Sequence, residues 1–167
     1  MKSRHKGREL AVQTLYAMDF NGSLHSGAYM EDLFPGLTQE EQDEFEPEVV
    51  LFARYLVAGT LENIDGIDDV IAAYSVRRAF DRIDVIDRNI LRISVFSLFF
   101  SEDTHPHVII DEAVKLSQEF SSEVNYRFIN GLLDALMQEL SAYRTTYPDV
   151  STDKLLSSFV AGKKKTS

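Results

Sequence analysis

The first eight residues carry Lys2, Arg4, Lys6 and Arg8 and no acid, a local charge of +4 that leads directly into a helical pattern. Cations at that density attract phosphates, and the helix behind them can anchor the segment to a folded body. A solubilising start to the chain is the other reading, and composition alone does not separate the two. A second cluster stands at Asn125, Tyr126, Arg127, Phe128 and Asn130, where amides, a cation and rings alternate. A ring exposed there can stack on an unpaired base, with Arg127 near a phosphate. Helical spacing equally lets Phe128 face a core.

Other chemistry finds no footing. None of the eight glycines opens a phosphate-cradling loop ahead of a helix, so Walker and dinucleotide sites are excluded. His105 and His107 flank a proline and lack the i,i+4 spacing of a helical metal pair. With Glu102, Asp103 and Asp111 they read as a solvated loop rather than a divalent site. Asp81, Asp84 and Asp87 fall three apart among Arg78, Arg82, Arg88 and Arg92, which reads as a salt-bridged helix face. Ser94, Ser97 and Ser101 have no local histidine and should bond back to helix carbonyls. The absence of cysteine excludes disulfides, zinc–cysteine sites and thiol catalysis. The expectation is a non-enzymatic protein with no cofactor and no metal.

The elements that must position these residues follow from composition and period. A chain of 167 residues, 44% hydrophobic and 26% charged, fits one domain with a real core. Its 27 acids against 17 bases, a net charge of -10, argue against a body coated in positive charge. The distribution is polar: from Glu9 to Ala53 ten acids occur and no Lys or Arg, and the chain turns basic again at Lys163, Lys164 and Lys165. The start reads as part of the fold rather than as a signal peptide. The richest apolar run, Ile90 to Phe100, spans 11 residues and contains Arg92, too short for a membrane span. A cytoplasmic protein with no membrane partner is the default.

Apolar residues at helical steps predict a helix over about 3–20 (Ala11, Leu15, Met18), ended by Asn21-Gly22. An acidic connection over 22–46 follows, with a short turn of helix around Tyr29, Met30, Leu33 and Phe34, and a capping-box match at Thr38-Gln39-Glu40-Glu41. Pro47 starts a helix to about Glu62, with Val50, Tyr55, Leu56 and Leu61 for burial. Asp65 caps a short helix holding Ile67, Val70, Ile71 and Tyr74. The segment from about Arg82 to Ser101 is the central, nearly all-buried helix. His105-Pro106 starts the next, with Ile109, Ala113, Leu116 and Phe120 inside. Another runs from about Glu123 to Tyr143 on a stripe including Val124, Phe128, Ile129, Leu132, Leu133, Leu136 and Leu140. A last short helix holds Leu155, Leu156 and Phe159, before a frayed basic tail. The architecture is all-α, a compact helical bundle of about seven helices.

Three stretches then resemble the NusB family of bacterial transcription antitermination factors, in order and in spacing: RELAVQTLY from Arg8, ILRISVFSL from Ile90, and IIDEAVKLS from Ile109 running on to RFINGLLD from Arg127. The resemblance spans residues 3–143. It implies two sub-bundles, about 3–76 and 82–160, within one RNA-binding domain over 1–162, with 163–167 as a basic tail. It implies binding of boxA RNA, a single-stranded element of ribosomal RNA transcripts, together with a small-subunit ribosomal protein in its NusE role. The pair joins an elongating RNA polymerase complex and suppresses termination. By position, Arg4, Lys6 and Arg8 would contact the RNA backbone. Tyr16 and Phe128 would lie at the RNA surface, where Arg127 of the local cluster joins them as an RNA-binding candidate. Gly131 would permit close helix packing, and Arg92 would pair with a carboxylate inside or beside the bundle.

The chain departs from the family in its fewer arginines near the start, in Asp111 where Asn is commoner, and in Val124-Asn125-Tyr126 where Asp-Ser-His is commoner. The connection over 38–48 is also unusually acidic. Placed beside the RNA face, it would weaken affinity for RNA alone and make the protein partner more necessary. Three rivals stand beside this reading: the RNA-binding part of an rRNA cytosine methyltransferase, a protein-interaction module that binds a basic partner without RNA, and, weakest because no opposing ligands can be named, a metal-dependent hydrolase using the His105/His107 region. The oligomeric state is open, a homodimer included. The RNA reading requires the N-terminal cations and the ring of Phe128 to share one accessible face.

Overall fold

The apolar run at the middle of the sequence becomes the helix on which the others pack. A computed structural model describes residues 2–25, 38–122 and 124–166. Helix α1 is Lys2–Phe20, α2 Gln39–Asp43, α3 Pro47–Glu62 and α4 Ile64–Tyr74. A 3-10 turn, Phe80–Arg82, precedes α5, Val85–Phe100; then come α6 (Pro106–Phe120), α7 (Tyr126–Thr146) and α8 (Thr152–Thr166). Among the described residues there is no strand, and no helix is long and apolar enough to cross a membrane. The eighth helix, beyond the seven expected, is α2. It forms because Thr38 Oγ1 accepts from the Glu41 N–H at 3.1 Å while the Glu41 carboxylate accepts from the Thr38 N–H at 2.8 Å.

Helix α5 is buried along nearly its whole length, from Asp87 to Phe99. It packs against α1, α3, α4, α6, α7 and α8, and one continuous apolar core runs through all of them. Ser94 and Ser97 hydrogen-bond back to the carbonyls of Ile90 and Ile93, so these hydroxyls are satisfied within the buried helix. Ser101 instead meets the Tyr55 hydroxyl at 3.0 Å.

Several local expectations are corrected. Asp65 does not cap α4, which begins one residue earlier and carries Gly66 inside it. The exposed ion-pair face on Asp81, Asp84 and Asp87 does not form: Asp84 caps α5 by accepting from the Ile86 N–H, Asp87 is fully buried, and Arg88 and Arg92 reach carboxylates on other helices. The reason is that α5 has no solvent face broad enough to hold such a ladder. Val124 is 71% exposed and precedes α7, outside the apolar stripe expected to include it. Tyr55 keeps 43% exposure. The basic end is helical through Thr166 rather than frayed, with Lys163 on Glu139 at 2.6 Å and Lys164 on Asp69 at 3.4 Å. The turn expected around Tyr29, Met30, Leu33 and Phe34 lies outside the described residues.

Candidate nucleic-acid interface

The N-terminal cations are not an arm ahead of a helix; they are the first turns of α1. Gly7 explains how: a Cβ there would stand 2.7 Å from the Phe52 ring, so glycine lets α1 lie close against α3. Arg4 and Arg8 then stack on that same ring, at 4.6 and 5.2 Å from its centroid. Arg4 pairs with Asp103 at 3.2 Å and stays partly exposed. Arg8, grouped with Arg4 and Lys6 as a phosphate contact, is buried, with Glu112 at 3.9 Å. Its guanidinium holds the turn together and offers no open side. Lys6 points outward, with no carboxylate partner among the described residues.

Lys6 is exposed, and Gln13, Tyr16 and Phe20 continue the exposed face at helical spacing, with the half-buried Glu9 between Lys6 and Gln13. Tyr16 and Phe20 stack at 6.3 Å, and Phe20 is 80% exposed. The end of α1 that carries them is fixed by Asp19, which accepts from Arg88, Asn89 and Arg92 at 2.8–3.1 Å. Arg92 also grips Asp68 of α4 with two parallel bonds of 2.8 and 3.0 Å. Arg92 therefore has the carboxylate partners that the resemblance implied, one on each of two helices. Burial pushes the Asp19 carboxyl up, but bonds and charge from Arg88 and Arg92 outweigh it and hold it below the ordinary carboxylate range.

Phe128 is half-buried. One side rests on the core, and the Arg78 guanidinium lies over its ring at 4.7 Å. It lines a groove of about 530 Å³ between the end of α4 and the start of α7, together with Val76, Arg77, Arg127, Gly131 and Leu132. Arg77 and Arg127 have no carboxylate partner among the described residues. Gly131 does not serve close packing: a Cβ there would meet nothing within 4 Å. Among the described residues the closest approaches are at Gly7 and at Gly59, the latter against the ring of Phe96, with Gly66 against Leu156 of α8 next.

The turn that presents Phe128 is built on a buried acid the sequence reading assigned to a surface face. Ser117 and Ser121 donate to Asp87 at 3.3 and 3.1 Å, and the Asn125 amide donates to Ser121 at 3.2 Å. Burial is the main influence on Asp87 and pushes its carboxyl up. Its place in the run of acids every third residue carried no mark of this role.

Arg4 and Lys6 lie toward the C-terminal end of α5, through Asp103, whereas Phe128 lies toward its N-terminal end, through the Arg78 segment and Asn125. A helix of α5's length separates them by roughly 24 Å. Cations and ring do not converge on one point, contrary to the expectation of a single shared face; Tyr16 and Phe20 stand toward the same end of α5 as Phe128, through the Asp19 contacts with Arg88 and Asn89. The acidic connection reaches α3 beside the cationic turn, where the Val49 carbonyl stands 3.4 Å from a Cβ on Gly7.

An all-helical fold with a buried arginine in its central helix and exposed rings and cations along α1 and the start of α7 defines a helical binding module. The NusB family model matches residues 5–138. The chain belongs to the NusB family. The transcription antitermination protein NusB of Treponema denticola is 39% identical over 133 residues, 80% of this chain and 94% of its own. That of Leptospira biflexa is 40% identical over 140 residues, with 83% and 94% covered. Among solved structures, T. maritima NusB superposes with a TM-score of 0.70 at 28% identity, covering 81% of this chain and 91% of that one. A chain from a crystal structure of antitermination factors NusB and NusE with double-stranded RNA gives 0.71 at 27%, covering 83% and 98%.

Proposed function

We propose that this protein is a transcription antitermination factor that binds boxA-type single-stranded RNA jointly with a small-subunit ribosomal protein in the NusE role and carries it to an elongating RNA polymerase. The observation that carries the reading is the exposed aromatic and cationic surface of α1 and the Phe128 groove, within a chain whose relatives are antitermination proteins. Lys6 and the outer side of Arg4 attract the RNA backbone. Tyr16 and Phe128 offer rings to unstacked bases, and Arg127 reaches a phosphate beside Phe128. Arg8 acts from below, fixing the turn that holds Lys6. No bond is made or broken in this scheme, and no cofactor takes part.

The acidic connection beside the cationic turn sets the energetics. It opposes phosphate approach, so affinity for RNA alone is low, and the ribosomal partner supplies the missing binding free energy through coupling. The test is fluorescence anisotropy at fixed salt with a boxA strand, a scrambled strand and a boxA duplex, each with and without the partner. The boxA strand binds tightest, and only with the partner present. Equal affinity for boxA and scrambled strands would refute the specificity, and tighter binding of the duplex would refute the single-strand preference.

A further inference from the structure

We propose that His5, Glu9 and Glu119 form a binding site for a zinc-type divalent metal ion, with Glu112 orienting the imidazole. His5 and Glu9 are four residues apart on α1, the spacing that puts two ligands on one helix face. Glu119 enters from α6. One donor atom from each of the three lies within 4.8 Å of the others. His5 Nδ1 is 2.6 Å from a Glu112 oxygen, while Nε2 faces Glu119 at 2.7 Å and Glu9 at 3.2 Å.

This arrangement assigns the two ring nitrogens different tasks. Glu112 accepts the Nδ1–H, fixing the tautomer and the ring, as carboxylates behind metal-bound histidines do. Nε2 faces two carboxylates, and a cation bound at that nitrogen, whether a proton or a metal ion, satisfies all three groups. Zinc holds such nitrogen and oxygen ligands at about 2.0–2.2 Å, which places two tetrahedral ligands about 3.4 Å apart. The Glu9 contact is already close to that separation, and Glu119 need withdraw by only about 0.7 Å, within reach of its side-chain torsions. Water completes the shell from solvent, since Glu119 is 41% exposed.

The surrounding charges agree. Arg8 and Lys115 both face Glu112, at 3.9 and 3.6 Å, and among the described residues no ion pair other than those with His5 reaches Glu9 or Glu119. A proton on His5 satisfies the same geometry, so metal binding displaces that proton. The histidine pair in the loop before α6 is different: His105 accepts from the His107 backbone N–H at 3.2 Å and their rings stack at 5.2 Å, with no cluster of three donors around them among the described residues.

The test is calorimetric titration of the whole chain, stripped with a chelator, with zinc chloride in two buffers of different ionisation heat, and with cobalt chloride followed by its visible absorption. One equivalent binds with proton release, and cobalt shows the intense bands of a tetrahedral site. Glu9→Gln and Glu119→Gln each weaken binding at least about tenfold, and Glu112→Gln by about 10–100-fold. Replacing His105 and His107 by Ala changes nothing. Glu9 and Glu119 are partly exposed and tolerate the amide, and unchanged far-ultraviolet helicity verifies folding of all three variants. No binding at millimolar zinc, or binding that Glu9→Gln and Glu119→Gln leave intact, overturns the proposal.

Discussion

Phe128 has two sides with different neighbours, and that decides what its loss should do. Part of the ring packs on the core, the Arg78 guanidinium lies over it, and the ring also lines the groove. Phe128→Ala should weaken boxA binding by about 1–3 kcal/mol while Phe128→Tyr retains most of it, read by anisotropy with the partner present. Lys6 and Arg8 separate in the same way. Lys6→Ala should lower the slope of log K against log salt by about one, whereas Arg8→Ala should lower the melting temperature and leave that slope unchanged. The residue types at these positions made them candidates for phosphate and base contacts. Their individual burial was not legible, because charge and period say which face a side chain takes and not which ring waits beneath it. Phe52, which receives both Arg4 and Arg8, carried no sequence signal of that task.

Helix boundaries followed local chemistry closely where a cap was present. Pro47 and Pro106 stand at the starts of α3 and α6, and Thr38 and Asp84 close theirs with side-chain bonds. What joins the helices was less visible, since Arg92 finds Asp19 and Asp68 across long stretches of chain. Arg92→Ala leaves two carboxylates without their buried partner and should cost about 3–5 kcal/mol in urea unfolding. The same network gives a pH dependence. Asp19 is depressed in the folded protein, so its contribution is full above the ordinary carboxylate pKa near 3.9 and fades as pH falls below it. Asp19→Asn should therefore be less stable at neutral pH and show a shallower loss of stability on acidification. Gly59→Ala, placed against the Phe96 ring, should cost about 1–3 kcal/mol by overpacking.

Helix α8 lies beyond the residues shared with the family model, yet it buries Leu155, Leu156 and Phe159 and sets Phe159 edge-on to Phe99 of α5. Truncation after Tyr147 should lower the melting temperature and expose enough apolar surface to bind a hydrophobic dye. Unchanged stability would mean that α8 rides on the body without belonging to it. The sequence by itself determined the helical class, the central place of the Ile90–Phe100 run, most helix starts and the family, because period, caps and motif spacing are local properties that one strand of text preserves. Only the tertiary structure decided that Arg8 is buried, that Asp87 supports the turn before Phe128, that Gly131 faces open space, and that the cations and the ring sit at opposite ends of α5. Each of those depends on which surfaces of separate helices meet, and that choice is made by packing the whole core at once.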